Sequence, residues 1–183
     1  MRHLVIDCET SGLSHQLNKV LTVGLVSAEI NKNKLKIIDT HHVKVKHDNY
    51  NANPFALKIN KINLEEHHKT AIYPKFACRR INDFIRNNSL SNSPILGHNL
   101  GFDFRFLNSL SMQGKTTLKM SGSPIDTMAI WRGLKSSGHV PFYLRSSLRE
   151  VSEFFKIDNS NAHDALGDCI ITAKVYHKLL GWI

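Results

Sequence analysis

The sequence predicts an α/β domain built on a mixed sheet. Three β-like runs with short connections open the chain. Beyond residue 90, short apolar runs alternate with helical patterns, and a long helix with one apolar stripe ends it. No internal repeat, low-complexity tract or linker interrupts this order, so residues 1–183 are expected to form a single domain.

Residues 3–8 read as the first strand and Leu21 to Ile30 as the second. The turn-like NKNK at 31–34 leads into a third strand, LKIIDTHHVKV, so the three form an antiparallel meander. An asparagine-rich loop, KHDNYNANP, ends at Pro54. A helical pattern then runs from Glu65 to about Asn87 with a bend at Pro74, its apolar face drawn from Phe76, Ile81, Phe84 and Ile85. PILGHN is a short buried strand, and LGFDFRFLNSL is the helix that follows it. SPID at 123–126 is a further strand, again followed by a helix. In RSSLREVSEFF, Ser147 and Glu150 have the spacing of a capping box. The last helix, HDALGDCIITAKVYHKLL, places Ala165, Cys169, Ala173, Tyr176 and Leu180 on one stripe.

Composition narrows the function. Lys and Arg number 24 against 15 Asp and Glu, a net charge of +9, which favours an acidic partner: nucleic acid first, an anionic membrane surface second. Excess lysine serving only solubility is the alternative. No apolar run approaches the ~20 residues of a membrane span, and two acids by residue 9 leave no room for a signal-peptide core. Three scattered cysteines without a C-x-x-C pair point to reduced thiols. These features predict an intracellular protein, cytoplasmic or nucleoid-associated, with no membrane association. The eleven histidines include His41-His42 and His67-His68, neither pair at the i, i+4 spacing of a metal clip, and both are assigned to exposed surface.

The chemistry begins with Asp7 and Glu9. Side chains two apart in a strand share a face, about 7 Å apart at the backbone. Two such carboxylates repel unless a cation lies between them or one stays protonated. A pair of divalent ions bridged by a carboxylate meets that need, and oxygen-only ligands favour Mg²⁺ or Mn²⁺. An edge strand with its acids in water is the alternative. Asp103 stands in the first turn of a helix after a buried strand, where ligands gather in α/β sheets; a simple helix-dipole role explains it about as well. His163 and Asp168 are five residues apart, about 7.5 Å along a helix axis, and face different ways. They suit a division of labour, with Asp168 on a metal and His163 removing a proton from water.

These blocks resemble the three exonuclease motifs of the DEDDh (DnaQ-like) family of the ribonuclease H-like superfamily. Asp7-x-Glu9 is followed by Thr10-Ser11-Gly12-Leu13; Gly97-His98-Asn99 is followed by Asp103; and His163-x-Ala165-x-x-Asp168 closes the set. PFALKINKI, from Pro54 to Ile62, is similar to a further family segment. The resemblance implies a five-stranded mixed sheet flanked by helices and a 3′-to-5′ exonuclease releasing nucleoside 5′-monophosphates. It implies Asp7, Glu9, Asp103 and Asp168 as ligands of two Mg²⁺ or Mn²⁺ ions, with His163 as general base. It implies contacts to the terminal nucleotide from Thr10, Gly12 and Leu13, with Asn99 and Phe102 as further contacts. For Phe102, core packing is an equal alternative. His98 reads as a turn residue, Asp126 as a structural acid at a strand end and Asp164 as a helix N-terminal charge. Expected partners are nucleic-acid 3′ ends, DNA ahead of RNA, for repair or proofreading; a DNA polymerase; and a second copy paired through an edge strand. The alternatives are a ribonuclease T or oligoribonuclease type of exoribonuclease, and a non-catalytic polymerase-accessory module.

Overall fold

The computed structural model describes residues 1–159 and 164–183. Three long strands come first: β1 (Arg2–Thr10), β2 (Val20–Asn31) and β3 (Lys34–Lys44). They form the antiparallel meander that the short connections required. Two short strands, β4 (Ile95–Gly97) and β5 (Pro124–Asp126), then add in parallel on the other side of β1. The sheet order is β3-β2-β1-β4-β5. The carboxyl ends of β1, β4 and β5 therefore lie along one edge, which is where ligand sites form in α/β sheets.

Seven helices are found among the described residues: α1 (Pro54–Asn60), α2 (Leu64–Thr70), α3 (Pro74–Asn87), α4 (Leu100–Gln113), α5 (Thr127–Ser136), α6 (Leu148–Phe154) and α7 (Ala165–Leu179). One sheet face, carrying Leu4, Ile6, Cys8, Val23 and Leu25, packs on Ile81, Phe84 and Ile85 of α3 and Phe106, Leu107 and Leu110 of α4. The opposite face, with Val5, Val26 and Ala28, packs on Cys169, Ala173 and Tyr176 of α7. Full burial of such aliphatic side chains is worth about 1.5–3 kcal/mol each. A third cluster joins Trp131 and Leu134 of α5, Val151 of α6 and Ile171, Val175 and Leu179 of α7. The last helix is thus buried on two sides, where a single apolar stripe was expected.

The helical run expected over residues 65–87 is two helices. Pro74 has no N–H to continue α2 and takes the first position of α3, with Tyr73 held extended before it. Ala71 is also extended, and Ile72 bridges Val45 as a parallel pair. Phe76 does not join the apolar face of α3; it is 52% exposed, and Ala77 and Cys78 are buried in its place. Ser147 caps α6 by accepting from the Glu150 N–H, but the Glu150 carboxylate turns to Arg145 at 3.1 Å, so the capping box is half made.

The histidines depart furthest from the surface assignment. His67 is 5% exposed, with a ring nitrogen 3.0 Å from the Val45 carbonyl, and His47 meets the Val20 carbonyl at 2.8 Å. An imidazole can be buried when one nitrogen donates to a carbonyl left over at a strand end; desolvation lowers the pKa of both rings and keeps them neutral. All three cysteines are free and buried. Among the described residues, no helix is long and apolar enough to cross a membrane.

Candidate active site

The end of β1 delivers the first two acids. Asp7 and Glu9 share the sheet face of Val5, towards α7, while Cys8 points into the α3–α4 side of the core. A register shift between Glu9 and Thr10 bends the strand end. The following loop is stitched down by Ser11, whose hydroxyl donates to the Tyr50 carbonyl at 2.7 Å and accepts from the Lys19 N–H at 2.8 Å.

Asp168 arrives from the first turn of α7, across a close approach of backbones. Gly24 on β2 pairs with Asp7, and a Cβ built on Gly24 would lie 2.2 Å from the Ala165 carbonyl oxygen and 2.7 Å from the Leu166 nitrogen. Only a glycine lets α7 begin this close to the sheet. Asp164 caps the helix, accepting from the Gly167 N–H at 3.3 Å, and lies 3.6 Å from a ring nitrogen of His42. As a result, one carboxylate oxygen from each of Asp7, Glu9 and Asp168 lies within 4.8 Å of the others, a grouping that could hold a metal ion.

Asp103 comes from the other side of the sheet, in the first turn of α4, and lies outside that trio. It is 3% exposed, and the backbone N–H and thiol of Cys8 nearby favour its charged form. Asn99, in the left-handed region at φ 66°, gives α4 no side-chain cap. Asp126 supplies it instead, accepting from the Asn99 N–H at 2.9 Å, the Leu100 N–H at 3.1 Å and the Met128 N–H at 2.9 Å. One carboxylate thereby fixes the start of two helices, the structural role expected of it. His98 is spent on Thr127 Oγ1 and the Ser146 carbonyl, each at 2.9 Å.

Burial and mutual repulsion oppose ionisation of Asp7, Glu9 and Asp103. Asp7 is held well above the usual carboxylate range by burial first and then by the charges of Asp103, Asp168 and Glu9. Burial, with Asp168 and Asp164 adding, pushes Glu9 up to about 8. Asp103 rises to about 7, again through burial, against hydrogen bonds that favour its charge. A cation among these groups would reverse that balance.

The expected nucleotide contacts are distributed unevenly. Leu13 stands 87% exposed beside the site, but Thr10 is buried and its hydroxyl donates to the Gly12 carbonyl at 2.7 Å. Gly12 abuts the Asn18 carboxamide, where a Cβ would come within 2.4 Å. Phe102 is partly buried against the core, 4.8 Å from the Phe106 ring, so packing claims much of it. The His163 assignment lies outside the described residues. Sequence reading also passed over Asn60. Its side chain is 6% exposed, donates to the Thr10 carbonyl at 3.2 Å, accepts from the Ile62 N–H at 3.1 Å and favours the charged form of Glu9. An asparagine ending a helix in the PFALKINKI segment was the one available signal.

Comparisons with known proteins agree with this geometry. The chain is 29% identical to DNA polymerase III subunit epsilon of Rickettsia typhi over 99% of its length and 75% of that protein's. It is 25% identical to ribonuclease T of Wigglesworthia glossinidia brevipalpis over 97% of its length and 83% of that protein's. Exonuclease I of E. coli, solved with a dT13 oligonucleotide, superposes with a TM-score of 0.80 at 20% identity, over 97% of this chain and 40% of that one. That likeness shows the fold, and this chain spans about two fifths of the exonuclease I chain. A family model described as exonuclease, of the RNase T type, matches residues 4–176. The chain accordingly belongs to the DnaQ-like family of 3′-to-5′ exonucleases, with a ribonuclease H-like fold.

Proposed function

We propose that the whole chain acts as one exonuclease domain that removes nucleotides from the 3′ end of single-stranded DNA, releasing nucleoside 5′-monophosphates in repair or proofreading. The observation that carries this reading is the convergence of Asp7, Glu9 and Asp168 within 4.8 Å, with Asp103 buried beside them. An oxygen-only donor set suits two hard divalent cations, Mg²⁺ or Mn²⁺, held by Asp7, Glu9, Asp103 and Asp168. Bound there, such ions would lower the pKa of water and offset charge on the phosphoryl oxygens.

The chain's own residues do the rest. Asp7, Glu9 and Asp168 each present an oxygen within 4.8 Å of the others, and the family resemblance assigns to Asp7 the place between the ions that these acids would hold. Asn60 favours the charged form of Glu9, and the Cys8 N–H that of Asp103. His163, next to the cap residue Asp164, is assigned to take the proton from the attacking water. Leu13 offers an apolar face to the terminal base, with Gly12 shaping the loop beneath it and Asn99 and Phe102 as further contacts.

RNA is the second reading, favoured by the similarity to a ribonuclease T across 97% of the chain. DNA stands first because the polymerase III epsilon relative is more similar, at 29%; a polymerase partner for this chain follows from the same relative. The test is parallel digestion of matched DNA and RNA oligonucleotides, each labelled at the 3′ or the 5′ end, with Mg²⁺. Early release of labelled mononucleotide from the 3′-labelled DNA, abolished in Asp7→Asn, is the expected result. Preferential digestion of RNA selects the second reading. Equal background release by the protein and by Asp7→Asn would mean a non-catalytic module.

A further inference from the structure

The chain between α5 and α6 forms an arch whose side chains are sorted in an unusual way. Val140 is 2% exposed and packs with Trp131, Val151 and Val175, and Leu144 packs against the same cluster. The residues between these two anchors turn outward. Phe142 is 80% exposed and Tyr143 83% exposed. Adjacent aromatic rings left in water on a loose loop would collapse onto the nearest apolar surface, but this backbone is held in place. The Trp131 indole donates to the Arg145 carbonyl at 3.1 Å, the Lys135 ammonium donates to the Leu144 carbonyl, and His98 joins the Ser146 carbonyl at 2.9 Å. Three side chains from two other elements thus hold the arch while its rings face solvent.

Its charge and position are equally specific. The Lys135 ammonium lies over the Phe142 ring, 5.2 Å from its centroid, and the Arg145 side chain is 85% exposed. From α5 through α6, Arg132, Lys135, Arg145, Arg149 and Lys156 stand against Glu150, Glu153 and Asp158; Arg145 pairs with Glu150 and Arg149 with Glu153, which leaves a modest positive excess. His98 follows β4 directly, and the next residues open α4, the helix of Asp103. The arch therefore stands on the same sheet edge as the acids, on the β4 side of β1, opposite the β2 side where Asn60 and Gly24 support the site.

We infer that this arch is a stacking platform for single-stranded nucleic acid, receiving unpaired nucleotides on the 5′ side of the bond to be cut; the inference rests on the hydrolase reading above. Every base presents a π face, so two rigidly held rings accept any sequence, and the flanking cations meet the phosphates between them. A protein partner or a second copy would need a continuous apolar surface. Here Lys135 lies over one ring and the exposed Arg145 follows two residues after the other, which complements a polyanion.

The test uses the full chain carrying Asp7→Asn, so that binding is read without turnover, and a fluorescent oligothymidylate as probe. Phe142→Ala with Tyr143→Ala should weaken strand binding by about 10-fold for each ring removed. Phe142→Trp with Tyr143→Trp should retain it. Met112→Ala removes a side chain 72% exposed near the far end of α4 and serves as control. An unchanged Kd in the alanine pair, or an equal loss in the Met112 control, overturns the platform. So does a change in oligomeric state without a change in strand affinity, which would make the arch an interface between copies. Ring-dependent binding here, together with no hydrolysis by the parent chain that keeps Asp7, would instead sink the hydrolase reading and leave the platform standing.

Discussion

Gly24→Ala offers the sharpest test of how the site is assembled, because the substitution adds one methyl group at a point outside the acid cluster. The new Cβ would meet the Ala165 carbonyl oxygen at 2.2 Å and its carbon at 2.4 Å, where ordinary contact begins near 3.4 Å. Both atoms are backbone, so no side chain can swing aside, and the start of α7 must retreat by about 1 Å. Overpacking of this kind costs about 1–3 kcal/mol, and for a chain of this size each kcal/mol lowers Tm by about 2–4 °C. The larger consequence is at Asp168, one helical turn on, whose oxygen lies within 4.8 Å of those of Asp7 and Glu9. A misplacement of about 1 Å in such a constellation can reduce turnover about 100-fold. The assays are a Mn²⁺ binding isotherm, thermal unfolding, and mononucleotide release from a single strand. Gly133→Ala is the control, since a Cβ there meets nothing within 4 Å. Mn²⁺ affinity and turnover both within about twofold of the parent, despite a lowered Tm, would refute the argument that the α7 approach sets the site.

Asn60→Leu keeps the volume but strands the Thr10 carbonyl and removes the amide from Glu9, at about 1–3 kcal/mol. Because that amide opposes the upward shift of Glu9, Mn²⁺ affinity should fall at neutral pH and partly recover on raising the pH; a loss independent of pH would leave Asn60 a merely structural role. His163→Ala should lower turnover by about 10²–10⁴-fold with strand binding retained, and parallel loss of binding in an anisotropy titration would remove the base assignment. Raised carboxyl pKa values also predict the pH dependence of the metal-free protein. With Glu9 at about 8 and Asp103 at about 7, the folded state keeps protons that the unfolded chain has released. Their contribution is complete below the ordinary carboxylate range and is lost as pH rises through those values, at up to about 1.4 kcal/mol per pH unit for each group. In chelator, Tm should therefore drop between about pH 5 and pH 8 and Mg²⁺ should restore most of it at the upper end; a Tm rising over that interval contradicts the shifts.

The strands and helices were legible because their cues are local. Apolar runs with short, turn-like connections marked β1 to β3, the three-to-four spacing marked α7, and Ser147 marked the start of α6. The acids were legible because charged groups in apolar runs demand a partner. What escaped the sequence is whatever depends on two distant segments touching. Pro74 was visible, yet only the pairing of Ile72 with Val45 separates α2 from α3 fully. His67 and His47 look like surface residues until a strand-end carbonyl is found beside each. Gly24 is unremarkable in a valine-rich strand; its meaning lies in Ala165, far along the chain.

The same contrast explains why so much apolar packing surrounds so polar a pocket. Asp7, Glu9, Asp103 and Asp168 are brought to one place by β1, α4 and α7, and each of these elements is anchored by buried side chains on the sheet. Left to themselves, four carboxylates would move apart; the raised pKa values at Asp7, Glu9 and Asp103 record first how deeply the fold buries them, and at Asp7 and Glu9 also their repulsion. That resistance is also what would make the pocket selective for a doubly charged ion. A cation that merely screened one acid could not relieve the others, whereas ions shared among them neutralise the cluster and release the strain on the fold at once. Metal affinity and folding stability should therefore fall together when an anchoring contact is lost, and separately when a ligand is replaced by its neutral amide: Asp7→Asn ought to bind metal poorly yet melt higher than the metal-free parent at alkaline pH. A neutral amide at that position that lowered both would mean that repulsion is not what burdens the fold.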